Sequence, residues 1–339
     1  MVTGGREDMG MKKELEPIIG QLRGQRILVI GDMVADIYLD GRISRISREA
    51  PVLVLEQAGE KIVAGGAANV VNNIATLGGD VFAVGLLGLD HAAKGLKAAL
   101  EKNGAHTGGL FCDEKRPTIS KTRVIAGGRA TVSQQIVRID KESKEPMAPA
   151  FESEILQYID GLLPDIGGVV LSDYGSGTVT PALREHLIRW CRRHDVPSLV
   201  DSRYDVRAFR GICYVKQNDA ELAAAVGREL LTEEDIFEAG QELLDELQAD
   251  GVLVTRGEYG MVLLEKDGAI HNIPVSDKSE VFDVSGAGDT CVATMILALA
   301  AGTEPARAAE LSNIASGIAV RKLGTSTVSA AELQSALNR

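Results

Sequence analysis

The sequence predicts an α/β fold, a mostly parallel sheet with helices on both faces and a small antiparallel β lid. Short apolar, β-branched runs alternate with amphipathic segments along most of the chain, which is typical of strands buried between two layers of helices. Two partly polar, strand-like stretches without intervening helices interrupt this alternation, at about residues 37–62 and 115–140. These two stretches predict the lid.

The first strand is expected at residues 26–31, where the apolar run RILVIG ends in glycine. Further buried strands are expected at residues 81–85, 168–171, 198–200, 213–215 and 251–254. Helices are expected at residues 67–77, 92–101, 152–163, 181–193, 219–226 and 232–248. Because ligands of such sheets collect at the carboxyl ends of the strands where the strand order reverses, we expect the functional site there.

The amino-acid composition indicates what kind of molecule the protein binds. The 339 residues carry 36 Lys and Arg against 48 Asp and Glu, a formal net charge of −12. This acidic balance disfavours nucleic acid and membrane partners and favours a small molecule. Residues 1–24 are expected to form an N-terminal extension, and residues 25–339 one domain. The four cysteines show no CxxC spacing and the N-terminus lacks an apolar leader segment, so we expect a cytoplasmic chain with free thiols.

Several familiar site motifs are absent from the sequence. It contains no GxxxxGK[ST] P-loop, no GxGxxG after the first strand, no HExxH and no GxSxG. The five histidines do not cluster. These absences argue against a dinucleotide-binding protein, a histidine-based metal site and a Ser/His triad.

The strongest local signal is DVSGAGDT at residues 283–290, which runs into an apolar helix. The backbone N–H groups of Gly286, Ala287 and Gly288 at a helix start suit the oxygens of a transferring phosphoryl group. Asp289 is then placed to accept a proton from an attacking hydroxyl. An ordinary helix N-cap explains the octapeptide equally well when it is taken alone.

A second signal is AGGAAN at residues 64–69, where Gly65 and Gly66 allow a polar ligand to approach the backbone and Asn69 offers a donor and an acceptor. A compact strand-to-helix turn is the competing explanation. Asp32 and Asp36 follow the first strand and suit sugar hydroxyls, although a solvated loop explains them as well.

A third signal is NDAE at residues 218–221. Asn218 and Glu221 lie one helical turn apart and can hold a hydrated Mg²⁺. The same pair is also a helix capping box, which alone is the better explanation.

Together, in this order and spacing, the motifs resemble the ribokinase-like (phosphofructokinase-B type) carbohydrate kinase family. The resemblance rests on residues 65–88 and 283–290 and extends from about residue 26 to residue 333. It implies an ATP-dependent transfer of the γ-phosphoryl group to a sugar hydroxyl, with Mg²⁺ and, as in some relatives, K⁺. Within the family, residues 44–56, 171–177 and 322–329 resemble the D-glycero-β-D-manno-heptose 7-phosphate kinases.

The resemblance to the heptose kinases departs at three places, one of which is residues 127–130 in the predicted lid. Residues 201–203 read Asp-Ser-Arg where the heptose kinases usually read Asp-Pro-Lys, and residues 216–218 read Lys-Gln-Asn where they read Thr-Pro-Asn. No HxGH motif occurs in the printed residues, so the resemblance covers the kinase part and not a nucleotidyltransferase.

The resemblance implies a role for each matching residue, with Asp289 as general base and the turn of residues 286–288 as the anion site. Sugar hydroxyls would be held by Asp36, Gly65, Gly66 and Asn69. The phosphate of a phosphosugar would be held by lid cations, namely Arg45, Arg48, Lys121, Arg123 and Arg138. The nucleotide would be held by Asn218, Thr255, Gly257, Gly288 and Asn313. A monovalent cation would be held by Asp283 and Ser285.

Two alternatives stay open. The acceptor can be another sugar or a nucleoside, as in fructokinases, ribokinases and phosphofructokinases, or the chain can be a catalytically silent sugar-binding regulator. The intact GAGD turn argues against the silent regulator. A lid also leaves exposed strand edges, and because such edges often become covered by a partner subunit, we expect a homodimer formed through the lid.

Overall fold

The computed structural model describes residues 14–127, 133–275 and 281–338. Part of the predicted lid, residues 128–132, and the first half of the predicted N-terminal extension lie outside the described residues. Residues 14–21 form a helix, α1, whose apolar side chains lie at helical spacing on one face. Leu15 and Leu22 on or next to this helix are fully buried in the core. The second half of the predicted extension is therefore packed against the main body.

The strands of the described residues are β1 (Arg26–Gly31), β2 (Met33–Ile46), β3 (Leu53–Gly66), β4 (Asp80–Leu87), β5 (His106–Cys112), β6 (Ser120–Gly127), β7 (Gln134–Lys141), β8 (Gly168–Asp173), β9 (Ser198–Ser202), β10 (Tyr214–Asn218), β11 (Gly251–Thr255), β12 (Met261–Glu265) and β13 (Ile270–Ile273). The remaining helices are α2 (Ala67–Thr76), α3 (His91–Lys102), α4 (Pro149–Leu162), α5 (Pro181–His194), α6 (Asp219–Val226), α7 (Glu233–Leu247), α8 (Ala287–Ala300), α9 (Pro305–Ala319) and α10 (Ala330–Leu337).

Within the described residues, nine strands form the main sheet in the order β13-β12-β11-β10-β9-β8-β1-β4-β5. The pairs from β11 through β8, β1 and β4 to β5 are parallel, and only β12 and β13 are added antiparallel. One apolar cluster lies on each face, one containing residues of α2, α8 and α9 and the other residues of α4, α5 and α7. The predicted mostly parallel sheet covered on both faces is confirmed.

The strand order reverses at β1, which pairs with β4 on one side and with β8 on the other. Chain segments that leave these strands therefore diverge, and a crevice opens at their carboxyl ends. Asp173 ends β8, Ser202 ends β9, Asn218 ends β10 and Thr255 ends β11. The fold thus lines up polar residues from distant parts of the sequence along one edge.

The second sheet has the order β3-β2-β6-β7 among the described residues. The hairpins β2–β3 and β6–β7 are antiparallel, as predicted for the lid. The two hairpins are joined by the pair β2–β6, which is parallel. Both of these strands leave the main body in the same direction, because β4, α3 and β5 return the chain to the main sheet between them. The lid also begins earlier than predicted, since the buried residues at the start of β2 already pair with β3.

Among the described residues, no helix has the length and apolar character needed to cross a bilayer.

Candidate active site

The GAGD turn begins α8 directly above the edge of polar strand ends. Gly286 is the N-cap of α8 and has a φ of 81°, a left-handed backbone conformation that residues other than glycine rarely adopt. A β-carbon at Gly288 would lie 2.9 Å from Nζ of Lys216. The first glycine therefore makes the turn possible, and the second lets a lysine ammonium lie against the backbone of the helix start.

The N-terminal end of α8 is available to an anion. The N–H of Ala287 donates to the carbonyl oxygen of Val284 at 3.3 Å, and that of Thr290 donates to Gly286 at 3.0 Å. Within the described part of the chain, the N–H groups of Gly286 and Gly288 have no intramolecular acceptor. A helix N-terminus with unpaired N–H groups carries partial positive charge. The predicted anion site thus has suitable geometry at two of its three N–H groups.

Asp289 lies in the first turn of α8 and is almost completely buried. Its Oδ2 accepts a hydrogen bond from Nδ2 of Asn69 at 2.8 Å, and its Oδ1 accepts one from the hydroxyl of Tyr174 at 3.1 Å. Burial, with a further contribution from the charge of Asp201, raises the pKa of Asp289 to about 6, while these hydrogen bonds and the Lys216 ammonium oppose the rise. A carboxylate with a pKa near neutrality is suited to accept a proton during catalysis.

A large cleft of about 1010 Å³ opens on one side of Asp289. The five residues predicted to hold a nucleotide all line it, namely Asn218, Thr255, Gly257, Gly288 and Asn313. Polar strand ends form one wall, and the start of α8 forms another. The cleft is large enough for a nucleoside triphosphate, which would place its phosphates toward the GAGD turn.

Asn218 and Glu221 form the capping box of α6. Oδ1 of Asn218 accepts from the N–H of Glu221 at 2.7 Å, and Oε2 of Glu221 accepts from the N–H of Asn218 at 2.9 Å. Glu221 still lines the cleft, with Oε1 at 3.8 Å from Nε of Arg203. No group of three or more His, Cys, Asp or Glu side chains in the described residues could hold a metal by itself. The pair therefore suits a metal held by nucleotide phosphates and water, and not a protein cage.

A smaller cavity of about 160 Å³ lies on the other side of Asp289, beneath the base of the lid. Three cationic side chains line it, those of Lys121 and Arg123 on β6 and that of Arg203 after β9. Asp36 on β2 also lines it and accepts from Arg123 at 2.6 Å and from the hydroxyl of Thr325 at 2.7 Å. Asp289 lines both cavities, so it stands where a bound nucleotide and a bound acceptor would meet.

Three of the predicted phosphate ligands do not line either cavity. Arg45 and Arg48 are exposed near the far end of the β2–β3 hairpin, and Arg45 is nine residues beyond Asp36, about 30 Å along an extended strand. Arg138 is exposed on β7, and both oxygens of Asp140 accept hydrogen bonds from its guanidinium. In the described chain these three side chains therefore lie away from both cavities, because a long lid strand carries most of its side chains away from the site.

Only some of the residues predicted to hold sugar hydroxyls line the smaller cavity. Gly66 lines the smaller cavity, and the neighbouring Gly65 lies against the carboxylate of Asp36. Asn69 is buried, and its amide is directed at Asp289 and Asn73 instead of either cavity. In the structure Asn69 therefore contacts the carboxylate of Asp289, and its contact with sugar hydroxyls stays a prediction.

Asp32 does not line the smaller cavity. Its buried carboxylate accepts hydrogen bonds from the backbone N–H groups of Tyr174, Ser176 and Thr178 at 2.8, 3.0 and 3.2 Å. These bonds fix the loop after β8, which carries Tyr174 toward Asp289. Asp32 therefore shapes the site without lining it.

Asp283 and Ser285, the predicted monovalent-cation pair, lie in the loop before α8. Oδ1 of Asp283 accepts from the N–H of Ser285 at 2.9 Å, and Oδ2 accepts from the N–H of Gly324 at 3.0 Å. Ser285 lines both cavities. The cation role itself stays a prediction.

The residues that line the site without having been predicted include four polar or charged ones, Tyr174, Asp201, Arg203 and Lys216. Lys216 is buried and lies 3.3 Å from Asp201 and 3.9 Å from Glu221. Burial lowers the pKa of Lys216, but these two carboxylates raise it by a larger amount. The pKa of Lys216 therefore lies above its ordinary value, and the ammonium stays protonated. Arg203 and Lys216 appeared in the sequence only as departures from the heptose kinases, and Tyr174 only within a resembling run. Nothing in the sequence alone shows that the four approach one another.

Comparison with known proteins agrees with this geometry. The model of the pfkB family carbohydrate kinases matches residues 25–332. The chain belongs to the pfkB family of carbohydrate kinases. It is therefore an ATP-dependent carbohydrate kinase, and the predicted family is confirmed.

Among the curated pfkB relatives, the bifunctional protein HldE of Citrifermentans bemidjiense is 42% identical over 323 residues, which cover 95% of this chain and 65% of that protein. The bifunctional protein HldE of Azorhizobium caulinodans is 42% identical over 315 residues, covering 92% of this chain and 64% of that protein. The chain thus spans about 65% of the length of these relatives.

Solved structures of two kinases share the fold. Ribokinase of Arabidopsis thaliana, complexed with ribose and ATP, has a TM-score of 0.71 at 20% identity and covers 94% of this chain and 99% of its own. Phosphofructokinase-2 of Escherichia coli, in complex with potassium, has a TM-score of 0.70 at 21% identity and covers 93% and 98%. The predicted ribokinase-like fold is confirmed.

Proposed function

We propose that this kinase transfers the γ-phosphoryl group of ATP to a sugar that already carries a phosphate, D-glycero-β-D-manno-heptose 7-phosphate. The observation that carries the proposal is the convergence of Lys121, Arg123 and Arg203 on the small cavity beside Asp289. Paired cationic donors form charge-assisted, often bidentate hydrogen bonds with a phosphate dianion. An acceptor without a phosphate would leave these cations without the partner that best fits them.

The choice of a heptose rests on two further supports. Residues 44–56 resemble the heptose kinases, and the curated relatives at about 40% identity are named HldE. We propose that residues 25–339 act as one kinase domain, in agreement with the family match over residues 25–332.

The reaction follows from the position of Asp289 between the two cavities. The acceptor hydroxyl gives its proton to Asp289 while its oxygen forms a bond to the γ-phosphorus. The bond from that phosphorus to the β–γ bridging oxygen breaks, and ADP leaves. The N–H groups of Gly286 and Gly288 and the ammonium of Lys216 face the region where negative charge builds up, and such preorganised donors stabilise a transition state.

Mg²⁺ bound with the nucleotide would neutralise phosphate charge, and we propose that Glu221 and Asn218 orient it through water. We also propose a monovalent cation at Asp283 and Ser285. The phosphofructokinase-2 that shares this fold was solved with potassium, which supports the proposal.

The acceptor is tested by substituting the cavity cations. Arg123→Ala should raise the KM for the sugar phosphate at least about tenfold, which corresponds to about 1.4 kcal/mol, and should leave the KM for ATP nearly unchanged. Arg45→Ala is the matched control, since Arg45 lies on the same sheet but outside the cavity, and it should change neither constant.

The choice of sugar is tested by comparing kcat/KM for heptose 7-phosphate, fructose 6-phosphate, fructose and ribose. A preference for either free sugar would overturn the phosphosugar proposal, and a preference for fructose 6-phosphate would overturn the heptose alone. Neither result would affect the assignment as a kinase.

We further propose a homodimer formed through the lid. Ile46 and Ile139 on this sheet are 66% and 55% exposed, and Val52 and Val137 are also about half exposed. A second copy of the lid would cover this apolar surface. Sedimentation of the protein and of Ile139→Lys tests it, and a monomer in both cases would contradict it. With all four cysteines free, we place the enzyme in the reducing cytoplasm, where ATP is available.

A further inference from the structure

Tyr174 occupies the boundary between the two cavities of the site. It follows β8, and its side chain lines both the large cleft and the small cavity. Its backbone N–H donates to the buried carboxylate of Asp32, which fixes the start of the loop. Its hydroxyl donates to Oδ1 of Asp289 at 3.1 Å. The residue therefore contacts the proposed base from the side on which the acceptor would enter.

Two cations from opposite elements lie against the ring of Tyr174. Nζ of Lys121, on the lid, is 5.7 Å from the ring centroid, and Cζ of Arg203, after β9, is 5.4 Å from it. Cations at such distances are attracted to the negative face of an aromatic ring. Both cations also line the small cavity. The orientation of the ring is therefore tied to the same groups that would bind the phosphate of the acceptor.

A carboxylate has about four lone-pair positions on its two oxygens. Asn69 occupies one on Oδ2 of Asp289, and Tyr174 occupies one on Oδ1. A freely rotating carboxylate could turn either oxygen toward either cavity. With both oxygens held, one remaining lone pair of Oδ1 is kept at the boundary where the acceptor hydroxyl arrives.

We propose that Tyr174 is a positioning residue, whose hydroxyl holds Oδ1 of Asp289 in the orientation that accepts the proton of the sugar hydroxyl. Burial and the adjacent carboxylate of Asp289 raise the pKa of Tyr174, so the phenol stays a donor throughout the working pH range. The inference rests on the proposed role of Asp289 as general base.

The test is Tyr174→Phe, which keeps the ring and removes only the hydroxyl. We expect kcat to fall about tenfold or more, with the KM for ATP changed less than twofold. The acid limb of the pH profile of kcat/KM should also move to higher pH. The charged or titratable groups that face Asp289 are Tyr174, Asp201 and Lys216, and removing the one hydroxyl that donates to it raises its pKa.

Tyr38→Phe is the matched control. Tyr38 also has a cation over its ring, Cζ of Arg123 at 5.4 Å, but its hydroxyl accepts from the N–H of Thr325 and does not touch Asp289. The control should leave the acid limb where it is. A merely structural role for Tyr174 would lower the unfolding temperature and raise the KM for ATP without moving that limb.

The base role of Asp289 and the positioning role of Tyr174 can be refuted separately. If Asp289→Asn keeps a near-normal kcat, the base assignment fails, and the positioning role fails with it. If Asp289→Asn is inactive while Tyr174→Phe has the kcat and acid limb of the unmodified enzyme, only the positioning role is overturned.

Discussion

Replacing Asp289 with asparagine should destroy activity and stabilise the protein at the same time. Loss of a general base costs about 10²–10⁴-fold in kcat. Asparagine has nearly the same shape, and its carbonyl can accept from Asn69 while its amide donates to the oxygen of Tyr174, because a hydroxyl can rotate to accept. Both contacts of the native carboxylate therefore persist, and only the charge and the basic oxygen are lost.

The stability gain follows from the pKa of Asp289, which rises from 3.8 to about 6 on folding. A shift of this size corresponds to about 3 kcal/mol at most. Because the raised pKa means that the folded state binds the proton more tightly, the cost is absent below pH 3.8, grows up to pH 6 and is complete above it. Asp289→Asn should therefore raise the unfolding temperature by about 5 °C at pH 8, and by less at pH 5.

The assay pairs thermal unfolding at pH 8 and pH 5 with steady-state kinetics on the same preparations. Asp283→Asn is the matched control. Although burial acts to raise the pKa of Asp283, backbone hydrogen bonds from Ser285 and Gly324 hold it below its ordinary value. Its substitution should thus lower stability at pH 8. An Asp289→Asn variant with kcat within tenfold of normal, or with unchanged stability at both pH values, would refute the reasoning.

Two further substitutions test the phosphate side of the site. Gly288→Ala should lower kcat about tenfold with little change in unfolding temperature, because the new methyl group meets the flexible end of Lys216 and displaces its ammonium. Gly161→Ala, where a β-carbon meets nothing within 4 Å, is its kinetic control, and equal kcat values for the two would contradict the role of the ammonium. Glu221→Gln should keep the capping box and the unfolding temperature but raise several-fold the Mg²⁺ concentration that gives half-maximal rate. Glu332→Gln, at the equivalent position of the α10 capping box, should leave the Mg²⁺ dependence unchanged, and an unchanged dependence in Glu221→Gln would remove the metal role.

The main sheet was predictable because each of its central strands is a continuous apolar run. The predicted strands 26–31, 168–171 and 251–254 match β1, β8 and β11 within two residues at either end. The strand predicted at 213–215 lies at Tyr214–Asn218 instead. Its last three residues are polar, and two of them, Lys216 and Asn218, line the cleft. A search for apolar runs ends too early at such a position.

The missed strands lie toward the two edges of the main sheet, although β12 is itself a short apolar run. β5, β12 and β13 were not predicted, and two of them are short antiparallel additions at the sheet edge. The parallel pairing of β2 with β6 was also not predicted, because it depends on where the intervening chain returns and not on either strand. The local sequence pattern predicts that a strand forms far better than it predicts which strand will pair with it.

The candidate site was predictable where one segment carries it. The GAGD turn was identified from a short motif, and five residues that line the large cleft were identified from the family resemblance. The cationic cavity was predicted only in part, because Lys121 and Arg123 line it while Arg45 and Arg48 on the same lid do not. Lys216 and Tyr174 meet Asp289 only in three dimensions, from strands that are separated by many residues in the sequence.

The small cavity is built from residues that span the chain, from Val34 on β2 to Thr325 in the loop before α10. Thr325 also bonds to Asp36, so the first and last parts of the wall hold each other. During synthesis on a ribosome, a nascent chain that has not yet emerged past Thr325 lacks one wall of the acceptor pocket. Unfinished chains, and chains cut ahead of that loop by a protease, would therefore lack part of the wall of the proposed acceptor pocket beside Asp289.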